Sequence, residues 1–333
     1  MDVPAAALRA GIRLLAGGVL LAGLGGPAGA NEQPFDAWLD GVRQEARGRG
    51  VSDRILDASL TGIKPIPRII ELDRSQPEFK LKVDEYLSRV VTQGRIDYGR
   101  TLLQRHHELL DAVSKQYGVQ KRFIVALWGI ETDFGRITGG FDVVTALATL
   151  AYDGRRSEFF RKELMFALEI LEQGHIAPKD MQGSWAGAMG QSQFMPSSFH
   201  LFAVDQDRDG DKDIWGSLPD VFGSIATYLS KSGWRDDITW GREVSIPAGF
   251  DKTAIAQETK KTLPQWEALG VRKVGGGELP GRAVEGRMVE VTQRDGSSRY
   301  FMAYENFETI LKWNRSTYFA IAVGTLADAL GAR

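Results

Sequence analysis

The sequence predicts a mainly α-helical (α+β) protein with one small β-rich region. Apolar residues recur every three or four positions over most of the 333 residues, as they do on the buried face of a helix. Polar and apolar residues alternate instead between 240 and 304, where Asp295-Gly296 separates two such runs as in a β-hairpin. We therefore expect an N-terminal helical domain at 31–118, a helical core at 119–239, a β-rich insertion at 240–304 and a final helical segment at 305–333 that returns to the core.

The first thirty residues are typical of a secretory signal peptide. Arg9 and Arg13 precede an apolar run at 14–24, and Ala28-Gly29-Ala30 provides small residues for cleavage. The apolar run is too short to span a bilayer, and no run of membrane-spanning length follows it. We predict a signal peptide at 1–30 with cleavage after Ala30; the alternative is an N-terminal membrane anchor.

Composition excludes several classes of protein. The sequence contains no cysteine, so it can carry neither a disulfide nor a lipid on a cysteine. Its formal net charge of −2 does not favour nucleic acid as a partner. We expect a soluble protein in an exported compartment, stabilised by its core alone.

The region before residue 118 shows the pattern of a helical frame. Apolar residues from Phe35 to Val42 are spaced by three and four, and Ser52 is placed to begin a short helix. A proline-containing link at 64–68 and an extended piece from Leu72 to Phe79 are expected next. Helices are predicted again around 86–91 and 98–117, and none of these patterns indicates chemistry.

The helix predicted at Val119–Gly135 carries the candidate catalytic residue, Glu131. Helical spacing would place its carboxylate on one face with Trp128 and Phe134, and the run before it is apolar nearly all round. A carboxyl group against apolar surface keeps its proton to higher pH, which suits a general acid near neutrality. The alternative interpretation is a polar residue near a helix end that faces water.

The next predicted helix, Ser157–Glu172, follows a turn at 152–156. Its apolar stripe is typical of a core helix and carries no functional signal.

The stretch from Ser184 to Ser198 predicts a close approach of the backbone to another element or to a ligand. Glycine and alanine surround Met189, so little side-chain volume keeps neighbours away. The amides of Gln191 and Gln193 can both donate and accept hydrogen bonds, as binding of sugar hydroxyl and acetamido groups requires. Packing alone would also explain the glycines.

The acidic stretch at 205–213 resembles a calcium loop of the EF-hand type. Aspartates occupy alternate positions and Gly210 stands at the sixth. Gly216 occupies the twelfth position, where a bidentate glutamate is usual, but Asp220 could close a slightly longer loop. The alternative is an acidic surface turn.

The rest of the chain combines helices and the β-rich insertion. A helix is predicted at 220–233, and a short helical or irregular piece near 263–269 lies within the insertion. The last helix is predicted at Tyr318–Leu330, with Ser316 as its N-cap.

Five motifs, in order, resemble the lytic murein transglycosylase B family of periplasmic peptidoglycan-cleaving enzymes with a lysozyme-like core. They are Gly-Ile-Glu-Thr-Asp-Phe-Gly at 129–135, Tyr-Asp-Gly-Arg-Arg at 152–156, Ser-Trp-Ala-Gly-Ala-Met-Gly at 184–190 before Gln-Phe-Met-Pro, the acidic loop, and Asn-Arg-Ser at 314–316. The resemblance covers nearly the whole chain after residue 30.

The resemblance implies a lytic transglycosylase that uses one catalytic glutamate, Glu131. This group would protonate the bridging oxygen of the β-1,4 bond between N-acetylmuramic acid and N-acetylglucosamine and then accept the O6 proton, so that a 1,6-anhydro end forms. Peptidoglycan glycan strands are the implied partner in the periplasm, and cell-wall synthases are further candidates.

The resemblance also implies the binding residues. Tyr86, Ser184, Gln193, Tyr228 and Asn314 would line the sugar groove, and one structural calcium ion would be held by Asp205, Asp207, Asp209, the carbonyl of Asp211, and Asp220. Trp313 and Phe319 stand where the family often has tyrosines, so stacking would persist while a hydroxyl contact would be lost.

Two other functions remain open from sequence. A hydrolytic muramidase would use the same groove but add water to the sugar, and it would need a second carboxylate that folding could supply. A glycan-binding scaffold for other wall proteins would have the groove without catalysis.

Overall fold

The computed structural model describes residues 33–75 and 81–332 of the chain. The predicted signal peptide at 1–30 therefore lies outside the described residues. Within the described ranges, no helix combines the length and the apolar character that a membrane span requires.

Helices dominate the described residues, which confirms the predicted fold class. The helices are α1 (Phe35–Gly48), α2 (Asp53–Leu60), α3 (Pro67–Ser75), α4 (Val83–Val90), α5 (Gln93–Arg105), α6 (His107–Tyr117), α7 (Lys121–Thr132), α8 (Val143–Asp153), α9 (Ser157–Glu172), α10 (Pro196–Phe202), α11 (Leu218–Lys231), α12 (Thr253–Ala256), α13 (Leu263–Ala268), α14 (Glu305–Trp313) and α15 (Thr317–Gly331).

The strands form two antiparallel sheets. They are β1 (Phe141–Asp142), β2 (Gln182–Gly183), β3 (Gly241–Ser245), β4 (Lys261–Thr262), β5 (Arg272–Lys273), β6 (Glu285–Thr292) and β7 (Ser298–Ala303). β1 pairs with β2, and the other five form a sheet in the order β4-β6-β7-β3-β5. Thr292 pairs with Ser298 across the Asp295-Gly296 turn, so the predicted hairpin is confirmed.

Helix α7 is the central helix of one hydrophobic core. Eight consecutive residues, from Phe123 to Ile130, are buried, as is Thr132. The helix packs against α5, α6, α11 and α15, so neighbours surround it on all sides. An apolar sequence with no polar stripe requires this placement, because any exposed face would leave large apolar groups in water.

A second core forms around α8 and α9, which pack closely on each other and on α1, α2 and α10. Helix α9 has the bounds that the sequence predicts, and its stripe is buried from Phe160 to Leu171. This core also contains Met189 and Phe194 from the glycine-rich stretch, so it supports one wall of the candidate site.

The extended piece predicted at Leu72–Phe79 is wrong over its first four residues, which lie in α3. Asp73 is buried at 1% exposure and accepts hydrogen bonds from Arg155 and Arg156. Ion pairing to a distant turn thus holds a helix here that local sequence does not indicate. The remaining residues of the predicted piece lie outside the described residues.

The five-stranded sheet has a core of its own and is fastened to the last helix. Trp240, which is only 2% exposed, donates from Nε1 to Asp328 Oδ2 of α15 over 2.9 Å. Arg122 of α7 donates to the other oxygen of the same carboxylate, also over 2.9 Å. Burial raises the pKa of Asp328, while the Trp240 and Arg122 bonds oppose that shift. One carboxylate therefore joins the sheet, α7 and α15.

Candidate active site

Glu131 lies in the last turn of α7, one residue before the helix ends. The predicted continuation to Gly135 is wrong, because Asp133 and Phe134 adopt left-handed conformations with φ of 52° and 60°. Phe134 therefore leaves the helical face on which the sequence places it beside Glu131. The chain turns sharply after the glutamate instead of extending past it.

Contacts made by side chains stabilise this strained turn. Arg95 Nε lies 3.2 Å and Arg136 Nη2 2.7 Å from the carboxylate of Asp133. The ring of Phe134 packs over Gly129, where an added Cβ would stand 2.6 Å from the ring. Left-handed backbone at two non-glycine residues is costly, so these contacts offset strain next to the candidate catalytic group.

The Glu131 side chain is partly exposed and has one described hydrogen-bond partner. Trp313 donates from Nε1 to Glu131 Oε1 over 2.7 Å. Burial raises the pKa of Glu131 to about 8, and the bond from Trp313 opposes this shift. The carboxyl group is consequently protonated at neutral pH, which is the state that a general acid needs.

An aromatic cluster lies beside this carboxyl group. The ring of Trp313 is 4.6 Å from Tyr228 and 5.3 Å from Phe194, and Phe202 is 4.4 Å from Tyr228. Tyr228 donates its hydroxyl proton to Lys312 O over 2.6 Å, and burial raises its pKa to about 12. The structure thus joins Glu131 to the predicted residue Tyr228 through Trp313.

Sequence reasoning missed Phe194 and Phe202 as site residues, and it gave Trp313 a stacking role but not its bond to Glu131. Trp313 was recognisable as a departure from the family beside Asn314, and Phe194 lies inside a quoted motif. Helical spacing relates neither residue to Glu131, since Trp313 follows it by 182 positions.

Ser184 organises the glycine-rich turn. Its Oγ accepts bonds from Ala188 N at 3.0 Å and Ala186 N at 3.3 Å, which leaves the hydroxyl proton for donation. The preceding Gly183 approaches the backbone so closely that an added Cβ would stand 2.2 Å from Ala188 O. Isolated antiparallel β-bridges join Met189 to Gly183 and to Phe194, which brings this turn against the aromatic cluster.

The two glutamines of this stretch differ in which amide atoms have no described bond. Gln193 donates from Nε2 to Thr138 O and Gly190 O, at 3.0 and 2.9 Å, and no described bond uses its Oε1. This oxygen can accept a bond from a ligand. Gln193 thus has an acceptor for a sugar hydroxyl or an acetamido N–H.

Gln191 uses one bond at each end of its amide inside the protein, and its sugar-binding role stays a prediction. Its Oε1 accepts from Trp128 Nε1 and its Nε2 donates to Trp215 O, both over 2.8 Å. An amide with both ends paired this way holds α7 to the end of the acidic loop.

Asn314 and Tyr86 lie at the α14–α15 side of the molecule. Asn314 is the C-cap of α14, and its Oδ1 accepts from Ser316 N over 3.0 Å. Ser316 caps α15 as predicted, since its Oγ accepts from Phe319 N. Tyr86 is 9% exposed, with its ring 6.1 Å from Tyr318 of α15. The substrate-binding roles of Asn314 and Tyr86 stay predictions.

Three carboxylates of the acidic loop come together. Asp205, Asp207 and Asp209 each offer an oxygen within 4.8 Å of the others, and Gly210 turns the chain with φ of 106°. Asp211 lies next to this group, and its backbone N–H donates to Asp209 Oδ1 over 2.9 Å. Carboxylate oxygens gathered on a loop fit a hard cation such as Ca²⁺.

Asp220 closes the loop in a different way. It is fully buried, and its two carboxylate oxygens accept from Gln206 N at 2.6 Å and Asp213 N at 2.7 Å. Burial raises its pKa to about 6, and the two backbone bonds oppose the shift. Asp220 therefore lies outside the group of three and braces the loop through two backbone bonds, and its role as a calcium ligand stays a prediction.

Comparison with known proteins relates these features to a family. The family model described as Transglycosylase SLT domain matches residues 34–328. Membrane-bound lytic murein transglycosylase B of Escherichia coli (strain K12) is 32% identical over 252 residues, which are 74% of this chain and 66% of that protein. The chain thus spans about two thirds of the length of this relative.

Solved structures share the fold. SltB3 from Pseudomonas aeruginosa in complex with NAG-NAM-pentapeptide has 40% identity and a TM-score of 0.86, covering 90% of this chain and 80% of that one. A second SltB3 structure contains NAG-anhNAM-pentapeptide. The Escherichia coli lytic transglycosylase Slt35 in complex with calcium has 27% identity and a TM-score of 0.76, covering 90% of this chain and 93% of that one.

Proposed function

This chain belongs to the transglycosylase SLT-domain family, whose relatives are lytic murein transglycosylases, and from this premise we propose that it cleaves peptidoglycan glycan strands non-hydrolytically. The bond broken is the β-1,4 linkage between N-acetylmuramic acid and N-acetylglucosamine. The observation that carries the proposal is the partly exposed carboxyl group of Glu131, which accepts a bond from Trp313 beside an aromatic wall and whose pKa burial raises.

In the proposed reaction Glu131 acts twice. It donates its proton to the bridging oxygen as the C1–O bond breaks, and the acetamido oxygen of the muramoyl sugar stabilises C1. The resulting carboxylate then removes the proton from the O6 hydroxyl, and O6 attacks C1 to form the 1,6-anhydro ring. The carboxyl group ends with its proton restored, and the sugar gains no water. SltB3, the relative crystallised with NAG-anhNAM-pentapeptide, supports this product.

Two other carboxylates are already bound to partners within the protein, which supports a mechanism with a single glutamate. Asp133 is paired with Arg95 and Arg136. Glu163 is 3% exposed, and its two oxygens accept from the backbone and side chain of Ser197. A two-carboxylate hydrolase needs a second carboxyl group free to face the sugar or a water. Neither of these groups meets that requirement.

The proposed subsites follow the contacts at the groove. Tyr228 and Trp313 offer aromatic surface for a sugar ring, while Ser184 offers a hydroxyl proton and Gln193 a carbonyl oxygen. Tyr86 and Asn314 are proposed to extend the groove on the α15 side. Export by the signal peptide at 1–30 would deliver the protein to the periplasm, where its substrate lies.

The rate of product formation is expected to fall as pH rises through about 8, because the acid form of Glu131 is lost there. Raising the pH removes the proton that must reach the bridging oxygen. Above about pH 8, the rate should therefore fall by no more than about tenfold for each pH unit. Initial rates of soluble muropeptide release, measured from about pH 3 to about pH 10, test this.

A rate that declines instead with a midpoint near the ordinary value of 4.5 for this carboxyl group would contradict the assignment of Glu131 as acid. Circular dichroism at each pH serves as the control for unfolding.

We also propose that Asp205, Asp207 and Asp209 hold a structural calcium ion, with the carbonyl of Asp211 and the carboxylate of Asp220 as further ligands. The gathered carboxylates repel one another, and a divalent cation relieves that repulsion. The calcium complex of the relative Slt35 supports the choice of metal.

Removal of calcium with a chelator is expected to lower the melting temperature by about 5 °C, and added calcium should restore it, because the ion binds only the folded state. Differential scanning calorimetry of the native protein measures this shift. The Asp209→Asn variant should have the lower melting temperature with or without calcium. The Asp40→Asn variant, which alters an exposed carboxylate on α1, should show the same calcium-dependent shift as the native protein. An unchanged melting temperature after chelation of the native protein would count against the metal site.

A further inference from the structure

The indole of Trp313 is the one described hydrogen-bond donor to the candidate catalytic carboxyl group. Its Nε1 lies 2.7 Å from Glu131 Oε1, a short distance for an N–H donor. A tryptophan that served only as a platform for sugar rings would not need its N–H directed at the acid. The bond therefore gives this residue a possible effect on proton transfer.

Several contacts hold the Trp313 ring in place. It packs against Phe194 and Tyr228, with ring centroids 5.3 and 4.6 Å apart. The backbone on either side is also fixed, since Lys312 O accepts from the Tyr228 hydroxyl and Asn314 N donates to Ile310 O. The indole N–H is thus preorganised toward Glu131 before any substrate arrives.

A neutral carboxyl group has one carbonyl oxygen, which is the better acceptor, and one hydroxyl oxygen, which carries the proton. An N–H donor fixed on Oε1 favours the form with Oε1 as the carbonyl. The proton then resides on Oε2. After the proton leaves, the same N–H faces a charged acceptor, to which hydrogen bonds are stronger than to a neutral one.

We propose that Trp313 is a positioning residue for Glu131: by binding Oε1, its indole N–H assigns the transferable proton to Oε2 and stabilises the carboxylate that remains after transfer. This inference rests on the proposed function, since it concerns the same acid. It gives one tryptophan an effect on both halves of the reaction, donation to the bridging oxygen and removal of the O6 proton.

Several charged groups on the surrounding elements are bound to partners other than Glu131. Burial and the Trp313 bond are the causes of the shifted pKa of Glu131, and no charged neighbour contributes. Arg95 of α5 and Arg136 pair with Asp133, Arg122 of α7 pairs with Asp328 of α15, and Lys121 of α7 pairs with Asp111 of α6. Lys231 of α11 donates to Leu201 O, and Lys312 of α14 donates to Ser232 O.

The test replaces Trp313 with benzothienylalanine, which keeps the bicyclic shape and substitutes sulfur for the N–H group. The protonation of Glu131 is followed by infrared difference spectroscopy, with the spectrum of Glu131→Gln subtracted to isolate the carboxyl band. We expect the titration midpoint to rise by about one pH unit, because the lost bond stabilised the carboxylate more than the acid. The kcat for anhydromuropeptide release should fall about tenfold while KM changes less than about twofold.

Trp313→Phe provides a second variant without the donor and should shift the midpoint in the same direction. Trp234→Phe is the matched control, because its indole N–H donates to Gln120 Oε1 away from Glu131 and its loss should leave the midpoint unchanged. An unshifted midpoint in both Trp313 variants, with only KM raised, would overturn the proposal and leave Trp313 as a sugar platform. A shifted midpoint in a protein that releases no anhydromuropeptide would uphold the role of Trp313 and refute the proposed function.

Discussion

Glu131→Gln is expected to reduce the release of 1,6-anhydromuropeptides from purified sacculi by about a thousandfold, with binding of glycan strands retained. Glutamine has nearly the shape of the protonated glutamic acid and can still accept from Trp313 Nε1, but it has no proton to give to the bridging oxygen. Mass spectrometry of the digest measures the product directly.

Two controls make this result specific. Glu163→Gln alters another buried carboxyl group with a raised pKa, and in a correctly folded variant it should retain activity. Glu131→Gln itself should unfold at higher denaturant concentration than the native protein at pH 8. Between about pH 4.5 and 8 the native state holds a proton on Glu131 that the unfolded state releases, so stability falls by up to about 1.4 kcal/mol per pH unit, and glutamine removes this loss.

The products of the native protein also decide between the open alternatives. Fragments one water heavier, with reducing ends, would replace the proposed reaction with hydrolysis by a muramidase. Binding to sacculi without any soluble fragments, unchanged by Glu131→Gln, would indicate a glycan-binding scaffold instead.

Gly324→Ala is expected to destabilise the protein by about 3 kcal/mol, although alanine is the better helix former. Gly324 lies within α15 against the ring of Trp240, and an added Cβ would stand 2.1 Å from the ring carbon Cδ2. Trp240 is only 2% exposed and also donates to Asp328, so it has little room to withdraw. Either α15 or the sheet would have to move. Urea unfolding at neutral pH measures the loss.

Gly94→Ala in α5 is the matched control, since nothing lies within 4 Å of its added Cβ. The same change of residue should be neutral or raise stability by about 0.5 kcal/mol there. Equal free energies of unfolding for the two variants would show that the Gly324–Trp240 contact relaxes without cost.

Much of the fold could be predicted because its signals are local. The spacing of apolar residues defines α9 to the residue, and Asp295-Gly296 identifies the β6–β7 hairpin. The order of strands in the sheet lacks such a signal, because it depends on which edges meet after the chain has folded. The early end of α7 was missed for a similar reason: Asp133 is held by Arg95, 38 positions earlier in the sequence.

The candidate site also contains one residue that local sequence identifies and others that only distant contacts identify. Glu131 could be selected from its apolar surroundings, which precede it directly in sequence. Gln191 and Gln193, however, have the same chemistry two positions apart, and only the folded positions of Trp128 and Trp215 show that both ends of the Gln191 amide bond inside the protein. Trp313 could not be linked to Glu131 by spacing.

The packing of α15 on α7 has a consequence for the synthesis and folding of the chain. Residues 317–331, which cover the central helix, and Trp313, which bonds to Glu131, are synthesised long after the glutamate itself. A nascent or prematurely terminated chain that stops before α14 lacks both the apolar cover of α7 and the partner of its acid. The candidate site therefore cannot form in a partial polypeptide, and translation must pass through the last helix before Glu131 has its surroundings.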